Sequence, residues 1–163
     1  MKYYTGIGAR KTPKDILSLI TIISSYLSKK GYILRSGGAE GADKAFEKGV
    51  IGELKEIYLP WPNFNKSKEI FVPISEKALK MAEKFHPCWN NLKNGARKLH
   101  ARNCYQILGA NLDNPSSFVI CWTFGGKERG GTAQSLRIAK NYNIKIFNLG
   151  NEKDLDKILA KIY

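Results

Sequence analysis

Three short glycine-rich segments interrupt the chain, and they constrain its fold more than any other feature. Each follows a stretch rich in β-branched or aromatic residues and precedes a stretch with helical periodicity; they span residues 6–10, 37–43 and 130–132. Strands that alternate with helices form parallel sheets, because each helix returns the chain to the edge where the next strand begins. The sequence therefore predicts an α/β, Rossmann-like, doubly wound fold: a mainly parallel sheet of about five strands with helices on both faces.

The predicted elements account for most of the chain. Strands are predicted over 2–6, 32–36, 56–59, 117–122 and 144–148, and amphipathic helices over about 13–30, 42–48, 75–84, 96–108, 132–142 and 152–162. Thr12, Ser75 and Asn151 are residue types that cap helix N-termini. The stretch from about 60 to 95 is predicted as an irregular insertion. No linker or repeat divides the sequence, so residues 1–163 are predicted to form a single domain.

The charge of the chain points to anionic partners. Lys and Arg number 27 against 14 Asp and Glu, which gives a net charge of +13. Most of the excess is lysine, which by itself indicates either a solvated surface or a polyanion binder. The arginines are more informative, because Arg10, Arg35 and Arg129 each lie within two residues of a glycine-bearing segment. A planar guanidinium binds phosphate through two parallel hydrogen bonds, so phosphate is the favoured ligand.

Several classes of protein are disfavoured by what the sequence lacks. No apolar run reaches the roughly 18 to 20 residues that span a bilayer, and the first residues lack the apolar core of a signal peptide, so a cytoplasmic protein without membrane contact is predicted. The three cysteines form no C-x-x-C pair, and His86 and His100 lack metal-ligand spacing. We therefore predict neither disulfides nor a metal site.

The glycine-rich segments also differ from those of the common cofactor-binding folds. Gly6-Ile7-Gly8 is not followed by the third glycine of a dinucleotide fingerprint. The second strand ends in Arg35-Ser36, so no carboxylate is placed for a ribose 2′-hydroxyl. No G-x-x-x-x-G-K-[ST] string is present. The sequence thus argues against NAD binding and against a P-loop NTPase, and no cofactor is predicted.

Glycine turns that follow parallel strands and open helices predict a phosphate site. Backbone N–H groups and the positive end of a helix dipole attract an anion there, and glycines let it approach the main chain closely. Arg35 is equally a candidate for pairing with a nearby acid, and the basic helix around residues 98–102 is either solvated or part of the site. The candidate ligand contacts from this argument are Gly8, Arg10, Arg35, Arg102, Asn103 and Arg129.

Three strings carry a resemblance to known proteins: YTGIGAR at 4–10, RSGGAEGAD at 35–43 and GGT at 130–132. They resemble loops of the DprA/Smf DNA-processing family and of the wider superfamily that joins it to the LOG-type phosphoribohydrolases. The resemblance covers the chain outside about 60–95. It implies a Rossmann-like domain that binds single-stranded DNA phosphates or a nucleoside monophosphate, and a homo-oligomer such as a dimer. The phosphate-loop residues that it implies are Ser36, Gly37, Gly38, Gly41, Asp43, Gly130, Gly131 and Thr132.

Two departures from these families leave the activity open. DprA proteins usually carry further domains around the Rossmann core, so loading of a recombinase onto DNA is not expected. LOG-type enzymes carry a glutamate where this sequence has Ser135, and cleavage of an N-glycosidic bond needs a carboxylate near the developing charge. If the protein is an enzyme, Glu40 and Asp43 are the candidate catalytic residues. Otherwise Glu40 is solvated, and Asp43 either stabilises a helix N-terminus or contacts the ribose of a ligand.

Three functions therefore remain from the sequence. The first is DprA-like binding of the phosphates of a nucleotide or a single-stranded nucleic acid. The second is LOG-like hydrolysis of a nucleoside 5′-monophosphate, and the third is the sensing or sequestering of a nucleotide signal. All three use the same glycine-rich loops, so the sequence does not separate them.

Overall fold

The structure, a computed structural model, describes residues 1–163. None of its helices combines the length and the apolar character that a membrane crossing requires. Three short 3₁₀ turns lie at Phe64–Lys66, Trp89–Asn91 and Phe124–Gly126. The strands are β1 (Lys2–Gly8), β2 (Tyr32–Ser36), β3 (Lys55–Ile57), β4 (Phe118–Trp122) and β5 (Lys145–Asn148). The α-helices are α1 (Lys14–Lys29), α2 (Ala42–Gly49), α3 (Glu76–Phe85), α4 (Asn94–Leu108), α5 (Gly130–Asn141) and α6 (Glu152–Ile162).

The five strands form one parallel sheet in the order β3-β2-β1-β4-β5. This confirms the predicted fold class. The central strand β1 places Thr5 beside Arg35 of β2 on one side and beside Val119 of β4 on the other. The chain winds outward from β1 in one direction and resumes at β4 in the other. The boundary between β1 and β4 is thus the topological switch point, where doubly wound sheets bind ligands.

Each face of the sheet carries its own apolar core. Helices α1, α2 and α6 cover one face, and α3, α4 and α5 cover the other. Strand β4 contributes to both, because alternate side chains of a strand point to opposite faces: Ile120 and Trp122 join the first core, and Val119 and Cys121 the second. A near-continuous apolar strand is what burial on both faces requires.

Two of the three predicted helix caps are confirmed. Ser75 Oγ accepts the Ala78 N–H at 3.1 Å at the start of α3, and the Asn151 side chain accepts the Asp154 N–H at the start of α6. The prediction for Thr12 is wrong. Helix α1 begins one residue later, at a Pro13 cap, and the Thr12 hydroxyl instead donates to the Ala9 carbonyl at 2.6 Å. Thr12 therefore ties down the turn after β1.

The insertion from about 60 to 95 packs onto both cores. Phe64 is buried with the core under α1 and α2, while Trp89 packs against the core under α4. Helix α3 lies against α4 and buries Ala78 and Ala82 there. The aromatic residues of the insertion thus extend the two cores and do not form one separate cluster.

Arg35 is buried inside the fold, with only 2% of its surface exposed. Its Nε donates to Glu56 Oε2 at 2.8 Å, its Nη1 donates to the Asn114 carbonyl at 2.5 Å, and its guanidinium lies 3.8 Å from the centroid of the Tyr3 ring. Nε and Nη1 are committed to these partners, and Nη2 lies beside Gly109 at the end of α4, so the guanidinium is directed into the protein. The expectation that Arg35 contacts phosphate is corrected: it is an internal ion-pair residue.

Replacing Arg35 tests this structural role. The Arg35→Ala variant loses a buried charge-assisted hydrogen bond and leaves Glu56 without its cation, with only the Tyr58 hydroxyl as a partner, so we expect the free energy of unfolding to fall by about 3 kcal/mol. Urea denaturation measures the loss. The matched control is Lys80→Ala, which breaks the exposed Glu76–Lys80 pair and is expected to cost less than about 0.5 kcal/mol. Equal stability of the two variants would contradict the assignment.

Candidate phosphate-binding cleft

A cleft of about 360 Å³ opens at the switch point between β1 and β4. Its walls come from the end of β1, the start of α2, one face of α4 and the residues that open α5. These segments meet there because the carboxyl ends of parallel strands share one edge of the sheet. The cleft brings together the predicted residues Gly8, Arg10, Asp43, Arg102, Asn103, Arg129, Gly130, Gly131 and Thr132.

The glycine loop after β2, residues 37–41, is held from beneath by its neighbours. The Ser36 hydroxyl donates to the Gly6 carbonyl at 2.6 Å, and a Cβ on Gly37 would collide with the side chains of Gln106 and Arg102. Gly41 has φ of 84°, a left-handed conformation that favours glycine. These three residues shape the loop and do not line the cleft, although the sequence predicted them as ligand contacts.

Two further predicted residues of this loop also lie outside the cleft. Glu40 points to solvent, with its side chain 65% exposed and Oε1 3.6 Å from Lys44 Nζ. Gly38 lines a separate groove on the other side of the loop. The structure therefore shows the solvated arrangement for Glu40, and of the two carboxylates considered for catalysis only Asp43 lines the cleft.

Arg102 connects α4 to the strand ends that face it. Its buried Nη1 donates to the carbonyls of Gly37 and Tyr58, the latter at 3.0 Å, and its Nε donates to Asn103 Oδ1 at 3.1 Å. Burial disfavours its charge and lowers the pKa of Arg102 to about 10, while the nearby Asp43 carboxylate counteracts that shift. The guanidinium thus remains charged at neutral pH in the wall of the cleft.

Asp43 stands at the start of α2 and faces both the cleft and the glycine loop. Its Oδ2 accepts the Ala39 N–H at 3.4 Å. Burial raises the pKa of Asp43 to about 6, against the opposing effects of the Arg102 charge and of backbone N–H groups of the surrounding loops. Asp43 is therefore mostly ionised at neutral pH and protonated in mild acid.

The opening of α5 forms the far wall of the cleft. No side chain caps this helix, whose first residues include Gly130 and Gly131. Asn103 Nδ2 donates to the Gly131 carbonyl at 3.1 Å and so fixes the turn against α4. Arg129 precedes it and is exposed. An uncapped helix N-terminus with adjacent arginine offers N–H donors and positive charge to an anion.

Two buried polar atoms without hydrogen-bond partners belong to residues that line the same cleft. They are Ser135 Oγ and His100 Nδ1. Burial, the adjacent His86 ring and nearby arginines lower the pKa of His100 to about 4, so its imidazole is neutral at physiological pH. Neither residue was predicted as a ligand contact, although the resemblance to the LOG-type enzymes had aligned Ser135 with their glutamate.

The spacing of residues along α4 could have indicated which of its side chains line the cleft. Leu99, Asn103 and Gln106 lie three and four residues apart on α4 and all line the cleft. The predicted basic face of Lys98 and Arg102 does not act as one surface: Lys98 is exposed and does not line the cleft, whereas Arg102 lines it from a buried position. The i, i+4 spacing correctly indicated that Lys98 and Arg102 are neighbours on α4. Which side of the helix is buried depends on how α4 packs on the sheet, and the spacing does not indicate that.

The pKa of Asp43 predicts a pH-dependent stability. The folded protein binds the proton of the Asp43 carboxyl more tightly than the unfolded chain does, because this carboxyl titrates near pH 4 when the chain is unfolded. As pH rises from about 4 to about 6, we expect the free energy of unfolding of the wild type to fall relative to that of Asp43→Asn, by on the order of 3 kcal/mol. Urea denaturation across this range measures the difference; a difference that stays constant with pH would contradict the assignment.

Comparisons with known proteins support the fold. The sequence matches no protein-family model and no curated protein. The structure is similar to that of DNA processing protein A from Helicobacter pylori, whose single-stranded DNA binding mode has been described: the TM-score is 0.61 at 18% identity, over 99% of this chain and 78% of that one. The resemblance found in the glycine-rich loops is thereby confirmed at the level of the fold: the chain shares the Rossmann-like fold of this DNA processing protein.

Proposed function

We propose that the protein binds single-stranded nucleic acid through backbone phosphates that enter the cleft at the switch point. The observation that carries this proposal is the convergence of Arg10, Arg102 and Arg129 with the uncapped start of α5 in one cleft. Asp43 is the one carboxylate that lines it. The walls therefore have a net positive charge and present N–H donors, the combination that binds phosphate.

The arginines divide into a fixed and an accessible set. Arg102 is committed to backbone carbonyls and supports the loop. Arg10 and Arg129 are exposed, and neither takes part in an ion pair within the chain. Their guanidinium groups are thus available to an incoming anion. Because both arginines lie on the solvent side of the cleft, we assign them to contacts with a nucleic-acid backbone that continues beyond one nucleotide.

The structural comparison supports nucleic acid over other phosphorylated ligands. The Helicobacter pylori protein to which the chain is similar binds single-stranded DNA, and the similarity extends over nearly the whole of this chain. The glycine-rich loops from which the resemblance was first drawn adjoin the cleft or line it. The fold alone hosts many functions, so the proposal depends on the charged cleft and uses the comparison to choose among its ligands.

Removing the two accessible arginines is the direct test. For the Arg10→Gln/Arg129→Gln variant we expect at least about a tenfold loss of affinity for a fluorescein-labelled oligo-dT of about 20 nucleotides, measured by fluorescence anisotropy. The slope of log K against log salt should become shallower by about 1.4, because two phosphates are no longer neutralised. The matched control is Lys29→Gln/Lys30→Gln at the end of α1, which removes two charges away from the cleft.

The outcomes separate the functions that the sequence left open. A steep salt dependence of the wild type with oligo-dT, and weak binding of dTMP, supports the proposal. Tight binding of dTMP with a shallow salt slope would instead favour a protein that senses or sequesters a nucleotide. The proposal is overturned if the wild type binds no oligonucleotide at low salt, or if the arginine variant and the lysine control bind equally.

Hydrolysis of a nucleoside 5′-monophosphate is the second candidate, and one observation favours it. Asp43 lines the cleft with a raised pKa, and carboxyl groups with such shifts are common in active sites. The test is incubation of the protein with a panel of nucleoside 5′-monophosphates, followed by chromatography for free base. Release of base by the wild type and its loss in Asp43→Asn would support hydrolysis. No release, or equal release by both proteins, would contradict a catalytic Asp43.

A further inference from the structure

A second groove lies beside the cleft, across the glycine loop of residues 37–41. Gly38 lines this groove, while its neighbour Ala39 lines the cleft, so the loop separates the two by the width of its backbone. The groove measures about 470 Å³ and has no apolar side chain in its walls. Five of the nine residues that line it are lysines, and we call it the lysine groove: Lys44, Lys48, Lys55, Lys66 and Lys68.

The acidic residues of the lysine groove are already paired. Glu47 and Glu69 both accept from Lys55 Nζ, the first at 3.0 Å. In contrast, Lys48, Lys66 and Lys68 are exposed and take part in no ion pair within the chain. The groove therefore presents three uncompensated ammonium groups. Like charges placed together repel one another, so their clustering favours an anionic occupant.

The turn that carries two of these lysines is held in an unfavourable backbone conformation. Asn63, Asn65 and Lys66 have φ values of 60°, 50° and 60°, in the left-handed region that non-glycine residues rarely adopt. Asn65 Nδ2 donates to the Gly38 carbonyl at 3.1 Å and so fastens the turn to the glycine loop. Backbone strain of this kind concentrates at ligand sites. The hydrogen bond from Asn65 keeps the adjacent Lys66 beside the glycine loop.

We propose that the lysine groove binds further backbone phosphates of the strand that enters the cleft. A single-stranded nucleic acid would then cross the glycine loop at Gly38 and be held on both sides of it. This inference rests on the proposed function and extends its site. The composition of the groove defines the contact: ammonium groups bind phosphate as point charges, and without an aromatic or apolar wall there is no surface on which a base could stack. The groove therefore adds affinity without sequence preference.

Oligonucleotide length distinguishes the groove from the cleft. The test variant is Lys48→Gln/Lys66→Gln/Lys68→Gln. The control is Lys29→Gln/Lys30→Gln/Lys145→Gln, which removes the same charge at the end of α1 and the start of β5, outside the groove. Anisotropy is measured with labelled oligo-dT of about 20 and about 4 nucleotides, a length within the reach of one site. The groove variant should bind the long oligonucleotide at least about tenfold more weakly, with a salt slope shallower by about 2, and the short one as the wild type does.

Each alternative result has a defined meaning. The inference is overturned if the groove variant and the lysine control bind the long oligonucleotide equally, or if the groove variant loses the short one as strongly as the long one. In either case, loss of binding in Arg10→Gln/Arg129→Gln would leave the proposed function intact. If that arginine variant binds both lengths as the wild type does, the proposed function itself fails. Unchanged circular dichroism and thermal melting establish that the variants are folded. The single variant Lys68→Gln is expected to weaken binding of the long oligonucleotide by a smaller factor than the triple variant does.

Discussion

The Arg102 guanidinium is the buried charge on which the geometry of the site depends. It reaches from α4 to the carbonyls of Gly37 and Tyr58, which follow the neighbouring strands β2 and β3. Burying a cation is costly unless it is hydrogen-bonded and near an opposite charge. The carbonyls and the Asp43 carboxylate meet that need, and the lowered pKa of Arg102 and raised pKa of Asp43 show that burial is only partly offset. Helix α4 is thereby fixed against the glycine loop.

Because α4 is fixed in this way, both sides of the glycine loop are open to a ligand. Arg102 and Gln106 lie so close beneath Gly37 that no side chain fits there, and Asn65 holds Gly38 from the insertion. The cleft with Arg10 and Arg129 lies on one side, and the lysine groove lies on the other. One short backbone segment therefore joins two positively charged surfaces. The net charge of +13 therefore matters most beside this loop, where several lysines and arginines have no acidic partner.

The fold could be predicted from the sequence because its signals are local. Glycine turns, apolar periodicity and the caps Ser75 and Asn151 each depend on a few neighbouring residues. The site was predicted less well, because the role of an arginine depends on partners far away in the chain. Arg35 is held by the Asn114 carbonyl, 79 residues on, and Arg102 by the Gly37 carbonyl, 65 residues earlier. No spacing rule reveals that both are buried. The same reason explains why Ser135 and His100 were not predicted as contacts: the packing of α4 and α5 on the sheet decides which polar side chains line the cleft.

A structure of the protein bound to an oligo-dT tests the central claim most directly. The account predicts a backbone phosphate in the cleft, within hydrogen-bond distance of N–H groups at the start of α5 and in contact with Arg10 or Arg129. It also predicts that the strand passes over Gly38 toward Lys66 and Lys68. An oligonucleotide that lies elsewhere, for example along the faces of α1 and α6, with the cleft free of phosphate, would contradict the account.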